Sequence, residues 1–269
     1  MISLITATLG RVKEIGVLLE SLVQQQNQNF EFILIDQNEH HELEPIIKQY
    51  EQKIDIIYIR SSVKGLSYNR NIGLKNCKGD IIGFPDDDCF YDSAVLSEVE
   101  KKFINSEIQF CAFATKDSIN RNVVRYKKNE ILTRKDVFKY CISYNVFVRK
   151  NGNIFFDDRL GVGRKYSSGE ETDYLFALLR KKDKGYFIND VFISHPCKDE
   201  TCNLQRTYSY SLGTGAIFRK EIVARRNYFY SFIFIYYLLR SVAGIMITSN
   251  RSLHWNGLKG KIVGFVNFR

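Results

Sequence analysis

The first 110 residues alternate short apolar runs with longer amphipathic stretches. The run at 30–35 has the length and composition of a buried strand and ends at Asp36, whereas the apolar side chains within 12–23 recur at helical spacing. The same patterns predict further strands at 2–6, 54–59 and 81–84 and further helices at 43–50 and 66–76. Strands that alternate with helices predict an α/β domain with a mostly parallel central sheet and helices on both faces.

The later part of the chain has a weaker pattern. Strands are predicted near 109–115 and 143–149, and a helix is predicted from about residue 171 to residue 182. Beyond His195 the composition changes, because 228–248 is rich in aromatic and β-branched residues. We therefore expect a main domain at 1–203, whose two halves meet near residue 110, and a C-terminal helical extension at 204–269.

Charge separates these two parts of the chain. The extension holds ten basic residues and one acid, a net charge of +9, whereas residues 1–203 hold 29 basic and 29 acidic residues. The apolar stretch at 228–239 is flanked by Arg225, Arg226 and Arg240 and is shorter than the ~20 residues of a membrane span. This pattern predicts a helix that lies in the interface of a bilayer. The alternative is a helix buried against the main domain with its arginines in water.

Composition excludes several classes of protein. With 45% hydrophobic residues and only three prolines, the chain is neither disordered nor collagen-like. The N-terminus has no signal-peptide pattern, so we expect the protein on the cytoplasmic side. Nucleic acid is not an expected partner, because aliphatic residues rather than stacking aromatics separate the arginines of the extension. Reduced core cysteines are expected at Cys77, Cys89, Cys111, Cys141, Cys197 and Cys202, which lack CxxC spacing.

Three consecutive aspartates, Asp86, Asp87 and Asp88, follow the predicted strand at 81–84. Their mutual repulsion is relieved by a cation, and the alternate carboxylates of Asp86 and Asp88 can bind Mg²⁺ or Mn²⁺ together with a diphosphate. The alternative is a loop that caps the helix expected near Asp92. His195 follows another predicted strand and is either a further metal ligand or a packed histidine.

Polar side chains also stand at the ends of the other predicted strands and at the start of a helix. Ligands of open α/β sheets bind at the carboxyl ends of strands, where Thr8, Arg11 and Asp36 are expected. Asp36 can accept hydrogen bonds from a base or ribose, or it forms a turn. Arg70 lies one turn into its predicted helix. Its side chain there either faces a phosphate, contacts the first aspartate of the triplet, or points into solvent. Neither GxxxxGK[ST] nor GxGxxG occurs, so the sequence gives no support for a P-loop kinase or a dinucleotide-binding dehydrogenase.

A second acidic group, Glu170, Glu171 and Asp173, follows a glycine-rich stretch at 161–169. Acids in the first turn of a helix are favoured by the helix dipole, which is a sufficient structural reason for one of them. A carboxylate beside a mobile loop is also suited to general-base catalysis. The residues alone leave both interpretations open.

Five segments in this order resemble the motifs of the inverting family 2 glycosyltransferases of the GT-A fold. Residues 3–11 (SLITATLGR) are similar to the opening strand and loop of that family, and 30–36 (FEFILID) to the second strand with its base-binding aspartate. Residues 68–74 (YNRNIGL) resemble the A-R-N-x-G-[LI] helix. Residues 78–88 (KGDIIGFPDDD) look like the segment that carries the DXD motif, and 169–173 (GEETD) like the acceptor-side motif G-E-D-x-D. The resemblance covers about residues 1–200.

The resemblance implies a role for each matching residue. A nucleoside diphosphate sugar, with a UDP-sugar favoured, would be held by Thr8, Arg11, Asp36, Arg70, Asp86 and Asp87. A divalent metal would be held by Asp86, Asp88 and His195. Glu171 stands where the family has its catalytic aspartate, so the base is one of Glu170, Glu171 and Asp173. The opening loop departs from the family pattern because Ala7 replaces proline and Leu9-Gly10 replaces Tyr-Asn.

The family resemblance and the basic extension together imply a hexosyltransferase-like enzyme of bacterial surface polysaccharide synthesis. We expect it to transfer sugar with inversion to a lipid-linked saccharide at the inner face of the cell membrane. One alternative is a metal-dependent nucleotidyltransferase that acts on sugar phosphates, which would need a basic glycine-rich loop after the first strand. The other is a non-catalytic protein that binds membranes.

Overall fold

The computed structural model describes residues 1–117, 122–124, 130–152, 154–196 and 203–269, and the chain divides into two compact units. Unit 1 comprises Met1–Lys64, Tyr68–Phe155 and Tyr174–Lys198. Unit 2 comprises Gly65–Ser67, Phe156–Asp173 and Asp199–Arg269. Among the described cysteines, Cys77, Cys89, Cys111 and Cys141 are buried free thiols. The expectation for Cys197 and Cys202 lies outside the described residues.

Unit 1 is built on one mixed sheet. Its strands are β1 (Ile2–Thr8), β2 (Phe30–Asp36), β3 (Asp55–Arg60), β4 (Ile81–Gly83), β5 (Phe90–Tyr91), β6 (Phe110–Lys116), β7 (Asn122–Val124), β8 (Glu130–Leu132), β9 (Val146–Arg149) and β10 (Gly185–Ser194). The main path follows the order β3-β2-β1-β4-β9-β6-β10-β5, with β7 beside β6 and β8 beside β10. Strands β3, β2, β1, β4, β6 and β10 run in one direction, and β9 and β5 oppose them. The sheet is therefore mostly parallel, as predicted.

Helices alternate with the strands along the chain, and several of them bury apolar side chains in the core of the sheet. They are α1 (Val12–Val23), α2 (Glu44–Tyr50), α3 (Leu66–Asn76), α4 (Val95–Phe103), α5 (Val137–Tyr140) and α6 (Glu170–Leu178). Leu18 of α1 and Val99 of α4 belong to the same buried cluster as Phe32 of β2 and Phe113 of β6. The residue ranges of α3 and α6 begin in unit 2 and continue in unit 1.

The predicted strand at 143–149 is shorter in the structure. Residues 143–145 form a 3₁₀ turn, and β9 begins only at Val146. The buried side chain of Asn145 donates hydrogen bonds to the carbonyl oxygens of Phe113 and Tyr140 and accepts one from the backbone amide of Ile142. Because a buried amide must satisfy its polar atoms, these bonds set the turn that precedes the strand.

The common direction of the main strands gathers polar residues at one edge of the sheet. Thr8 ends β1 and Asp36 ends β2, and these two residues are paired in the register. The three aspartates at 86–88 follow β4, and His195 follows β10. The fold of unit 1 therefore brings these segments to the same carboxyl edge.

Unit 2 contains α7 (Leu204–Arg219), a π-helical turn at Lys220–Ala224, α8 (Phe229–Ile247) and α9 (Arg251–Asn267). Glycines let α7 and α9 approach until their backbones touch. A Cβ atom on Gly264 would lie 2.2 Å from the carbonyl oxygen of Leu212, and one on Gly215 would lie 2.2 Å from that of Lys261. Such close packing of small residues is frequent between helices of membrane proteins.

Helix α8 carries apolar side chains on its buried face and also on its exposed face. Tyr230 and Phe234 are buried, whereas Phe232 is 74% exposed and Met246 is 73% exposed. By length and composition α8 could cross a membrane. The helix continues past Arg240, which interrupts the apolar stretch at 228–239 but not the helix.

Candidate active site

Asp86 lies beyond the end of β4, at the carboxyl edge of the sheet of unit 1. Its Oδ1 atom accepts a hydrogen bond of 2.9 Å from Nη2 of Arg70 and one of 3.2 Å from Oγ of Ser143. Only 1% of the Arg70 side chain is exposed. A buried guanidinium needs a compensating negative charge, so this pair holds the carboxylate of Asp86 in one orientation.

The side chain of Asp88 contacts residues that follow two other strands, β1 and β10. Its Oδ1 atom lies 3.0 Å from Nε2 of His195, and its Oδ2 atom lies 3.2 Å from Nη1 of Arg11. The imidazole of His195 stacks on the ring of Tyr144, with the ring centroids 4.6 Å apart. The hydrogen bond from His195 outweighs the effect of burial and lowers the pKa of Asp88. Burial would lower the pKa of His195, but the hydrogen bond to Asp88 and the negative charge of Asp88 together outweigh it and raise this pKa.

The side chain of Asp87 has a different partner from those of its two neighbours. Its Oδ2 atom accepts a hydrogen bond of 2.8 Å from Oγ1 of Thr8, at the end of β1. Burial raises the pKa of Asp87 to about 6, because this hydrogen bond offsets the burial only in part and the charges of Asp88 and Asp86 add to the rise. Asp87 is therefore tied to β1, while Asp86 and Asp88 both face His195.

Asp36, at the end of β2, is fully buried. Its Oδ2 atom accepts a hydrogen bond of 2.5 Å from the hydroxyl of Tyr58, and its Oδ1 atom accepts bonds of 2.8 Å and 2.7 Å from the backbone and side-chain nitrogens of Asn38. Burial and the bond to Asp36 raise the pKa of Tyr58, so the hydroxyl remains a donor at neutral pH. A carboxylate offers about four acceptor positions, and these three bonds fill three of those of Asp36.

Asp86, Asp88 and His195 lie close to one another at the carboxyl edge of the sheet. Nε2 of His195 lies 3.9 Å from Oδ2 of Asp86 and 3.0 Å from Oδ1 of Asp88. Within the described ranges, no group of three or more acidic, histidine or cysteine side chains is arranged so that it could hold a metal ion by itself. Mg²⁺ and Mn²⁺ need few protein ligands where phosphate oxygens and water complete the shell. The carboxylate oxygens and the imidazole are donor types that these cations accept, so a cation here would need diphosphate oxygens or water as further ligands.

The acidic motif at 170–173 belongs to unit 2 and forms the first turn of α6. Asp173 is 3% exposed and lies 2.6 Å from Nζ of Lys220 and 2.8 Å from Nη2 of Arg225. Glu170 is also buried. Glu171 is half-buried, and its carboxylate makes no hydrogen bond or ion pair with the residues that the structure describes. Of the three acids, Glu171 is the one that a ligand can reach without displacing a protein partner.

Tyr58, Ser143 and Tyr144 take part in these contacts although no sequence motif marks them. The contact of Tyr58 follows from the register of β2 and β3, in which Tyr58 pairs with Leu34. Ser143 and Tyr144 lie in the 3₁₀ turn before β9. In the sequence, the one signal that could have identified any of these three residues was the position of Tyr58 near the carboxyl end of the strand predicted at 54–59.

Comparison with known proteins gives a consistent result. A family model described as Glycosyl transferase family 2 matches residues 3–226. The hyaluronan synthase of Pasteurella multocida is 40% identical over 90 residues, which are 32% of this chain but only 9% of that protein.

Solved structures also match nearly the whole chain, among them the two that follow. S. aureus TarS 1–349 in complex with UDP-GlcNAc has a TM-score of 0.67 at 17% identity, covering 98% of this chain and 81% of that one. The mannosyltransferase PcManGT from Pyrobaculum calidifontis, in complex with GDP-Man and Mn²⁺, has a TM-score of 0.66 at 10% identity, covering 99% of this chain and 86% of that one. These similarities confirm the fold class predicted from the sequence.

Proposed function

The chain belongs to glycosyl transferase family 2 and is a glycosyltransferase, and from this premise we propose that it transfers sugar from a nucleoside diphosphate sugar during synthesis of a bacterial surface polysaccharide. The observation that carries the proposal is the convergence of Asp86 and Asp88 on His195 at the carboxyl edge of the sheet. The matches to a hyaluronan synthase and to TarS support a polysaccharide product and a UDP-sugar donor. No feature of the described residues favours the nucleotidyltransferase or the non-catalytic alternative.

In this proposal, the donor binds at the carboxyl edge of unit 1. Asp36 accepts a hydrogen bond from the base or ribose, and Arg11 and Arg70 provide positive charge beside the diphosphate. Asp86, Asp88 and His195 would hold Mg²⁺ or Mn²⁺, a choice that the manganese complex of PcManGT supports. When bound, such a cation neutralises charge that develops on the departing diphosphate.

We further propose that a carboxylate of the 170–173 motif, Glu171 foremost, removes the proton of the acceptor hydroxyl. A single in-line displacement at the anomeric carbon then gives a product of inverted configuration. Asp173 is a less suitable base, because Lys220 and Arg225 occupy its oxygens. Glu171 has an accessible carboxylate, as a group that must approach an acceptor requires.

Nucleoside diphosphate sugars should stabilise the protein in a metal-dependent way. A ligand present at 100 times its Kd adds ~2.7 kcal/mol to the free energy of unfolding, which raises Tm by several degrees. We expect this rise with UDP-sugars and Mn²⁺ and its loss when EDTA is added. The measurement is a thermal-shift screen of nucleotide sugars, followed by assay of nucleotide release. A screen in which no nucleotide sugar changes Tm or is turned over contradicts the proposed donor site.

We also propose that unit 2 holds the enzyme at the inner face of the cell membrane, where a lipid-linked saccharide is the acceptor. The exposed apolar face of α8 and the +9 charge of the extension support adsorption to an anionic leaflet. Arg240 stands near the middle of α8, and a charged residue at the centre of a span costs about 2.5 kcal/mol or more. This cost favours a helix that lies in the interface over one that crosses the bilayer.

Removing apolar side chains from α8 should weaken binding to vesicles. Each large apolar side chain that leaves water contributes on the order of 1 kcal/mol, so the pair Phe232→Ser and Met246→Ser should weaken adsorption about tenfold or more. The measurement is co-sedimentation with phosphatidylglycerol vesicles, with phosphatidylcholine vesicles as the uncharged comparison.

Ile104→Ser provides a matched control, because Ile104 is 80% exposed but belongs to unit 1. If the double variant binds vesicles as tightly as this control does, α8 is not the membrane contact. Equal transfer to soluble and lipid-linked saccharides would remove the lipid-linked acceptor from the proposal.

A further inference from the structure

A network of ion pairs in unit 2 joins the two ends of the glycine-rich loop to the turn that follows α7. Nζ of Lys220 lies 2.7 Å from Oδ2 of Asp157 and 2.6 Å from Oδ2 of Asp173. Asp157 directly precedes the loop at 158–169, and Asp173 lies in the first turn of α6, which begins directly after that loop. A single ammonium group therefore holds both ends of the loop.

The contact at the first end of the loop is reinforced by Arg159. Its Nε and Nη2 atoms donate hydrogen bonds of 2.8 Å and 2.7 Å to the two carboxylate oxygens of Asp157. Burial would raise the pKa of Asp157, but the hydrogen bonds from Arg159 and Lys220 outweigh it and lower this pKa. Asp157 is therefore charged at neutral pH and binds both cations as a carboxylate.

The contact at the second end is reinforced by Arg225, the residue after the π-helical turn. Its Nη2 atom lies 2.8 Å from Oδ1 of Asp173, and its Nη1 atom donates a hydrogen bond of 2.5 Å to Oε1 of Glu221. The side chain of Asp173 is 3% exposed and that of Lys220 is 16% exposed. Ion pairs shielded from water to this extent are screened little by salt, so they restrain the residues they join.

The loop between these two ends contains three glycines whose backbone conformations other residues rarely adopt. Gly161, Gly163 and Gly169 have φ angles of 96°, 86° and 86°, a region open to glycine at little cost. Glu171 lies two residues before Asp173, in the same first turn of α6. The orientation of Glu171 therefore depends on where Asp173 is anchored.

We propose that Lys220 is a positioning residue, which fixes the ends of the 158–169 loop and, through Asp173, the orientation of Glu171. The inference rests on the proposed function of Glu171 as the base. It assigns Lys220 no contact with the donor or the acceptor. Loss of its charge should consequently reduce the rate of transfer and leave donor binding intact.

The test uses the full chain with Lys220→Met, which keeps the length of the side chain and removes its charge. Misplacement of a reacting group by about 1 Å can reduce a rate 10²-fold, so we expect kcat to fall at least about tenfold. KM for the nucleotide sugar, and Kd for UDP with Mn²⁺ by calorimetry, should stay within about twofold of the wild-type values, since a positioning residue lies outside the donor site. Lys220→Arg should restore most of kcat.

Hydrogen exchange provides a second measurement that needs no substrate. In Lys220→Met, amides within 158–169 should exchange faster than in the wild type, whereas those of β2 at 30–36 should be unchanged. Lys261→Met is the matched control, because Lys261 is a half-buried lysine of the same unit whose Nζ donates to Ser241 and Gly257 rather than to an acid.

The outcomes separate this inference from the proposed function. If the wild type turns over no nucleotide sugar, the proposed function fails, and the exchange measurement still decides whether Lys220 restrains the loop. If the wild type is active and Lys220→Met matches Lys261→Met in kcat and in exchange, the positioning role of Lys220 is wrong. Equal losses of kcat and of UDP binding would also overturn it, because they indicate general disruption.

Discussion

Replacing Asp88 with asparagine is expected to lower the rate of sugar transfer by about 10²- to 10³-fold. The amide keeps the shape of the side chain but lacks the charge that faces His195 at 3.0 Å and Arg11 at 3.2 Å. A neutral group at this position binds a divalent cation weakly, and the developing charge on the diphosphate then loses its compensation. The measurement is kcat as a function of Mn²⁺ concentration, in which the variant should also need more metal for half-maximal rate.

Asp80→Asn is the matched control for this substitution. Asp80 is an exposed acid just before β4, at the opposite end of the same strand from Asp88. We expect its kcat and its metal dependence to equal those of the wild type. If Asp88→Asn behaves like Asp80→Asn, the carboxylate of Asp88 has no part in catalysis and the proposed metal site is wrong.

The second large effect is expected for Glu171→Gln. Removal of a general base reduces rates by about 10²- to 10⁴-fold, and because this residue is assigned no contact with the donor, binding of UDP should not change. The measurement is kcat together with Kd for UDP in the presence of Mn²⁺. Glu171→Asp should retain part of the activity, since aspartate is the acid that the related family carries at this position.

Glu170→Gln is the informative comparison, since it makes the same chemical change one residue earlier at a buried position. It should leave much more activity than Glu171→Gln does. The opposite order of the two variants would move the role of base to Glu170. Weakened UDP binding in Glu171→Gln would show that this carboxylate acts on the donor instead.

The N-terminal half of the sheet could be predicted from the sequence because its signals are local. Helix α3 spans the predicted residues 66–76, and β2 spans the predicted strand with its terminal Asp36. Parallel order then places the polar residues that follow each strand at one edge, so Asp36 and the aspartates at 86–88 could be assigned to the same site.

The antiparallel strand β9, which lies between β4 and β6, could not be predicted in the same way. Its place in the sheet depends on residues distant in the sequence, and its start depends on the buried contacts of Asn145 with Phe113 and Tyr140. Pairings of this kind leave no periodic signal in the strand itself.

The contacts that orient the side chains of the candidate site could not be predicted from the sequence either. Tyr58 reaches Asp36 only in the observed register of β2 and β3, and Lys220 joins Asp157 and Asp173 across long stretches of chain. Motifs identify the acids that carry chemistry, whereas the residues that hold them in place are set by tertiary packing. The end of α8 at Ile247 has no marker in the hydropathy pattern, because Arg240 lowers the hydropathy within the helix while arginine has a high helix propensity.

The backbone contact between α7 and α9 affects how inactive variants of this enzyme should be interpreted. At Gly215 and Gly264 even a methyl group would collide with a carbonyl oxygen of the facing helix, and the whole pair would have to separate. A mutational survey would therefore find variants of these glycines as inactive as variants of the aspartates, although the glycine variants fail because the two helices are displaced. Retained nucleotide affinity in the purified variant distinguishes a displaced helix from a damaged catalytic group.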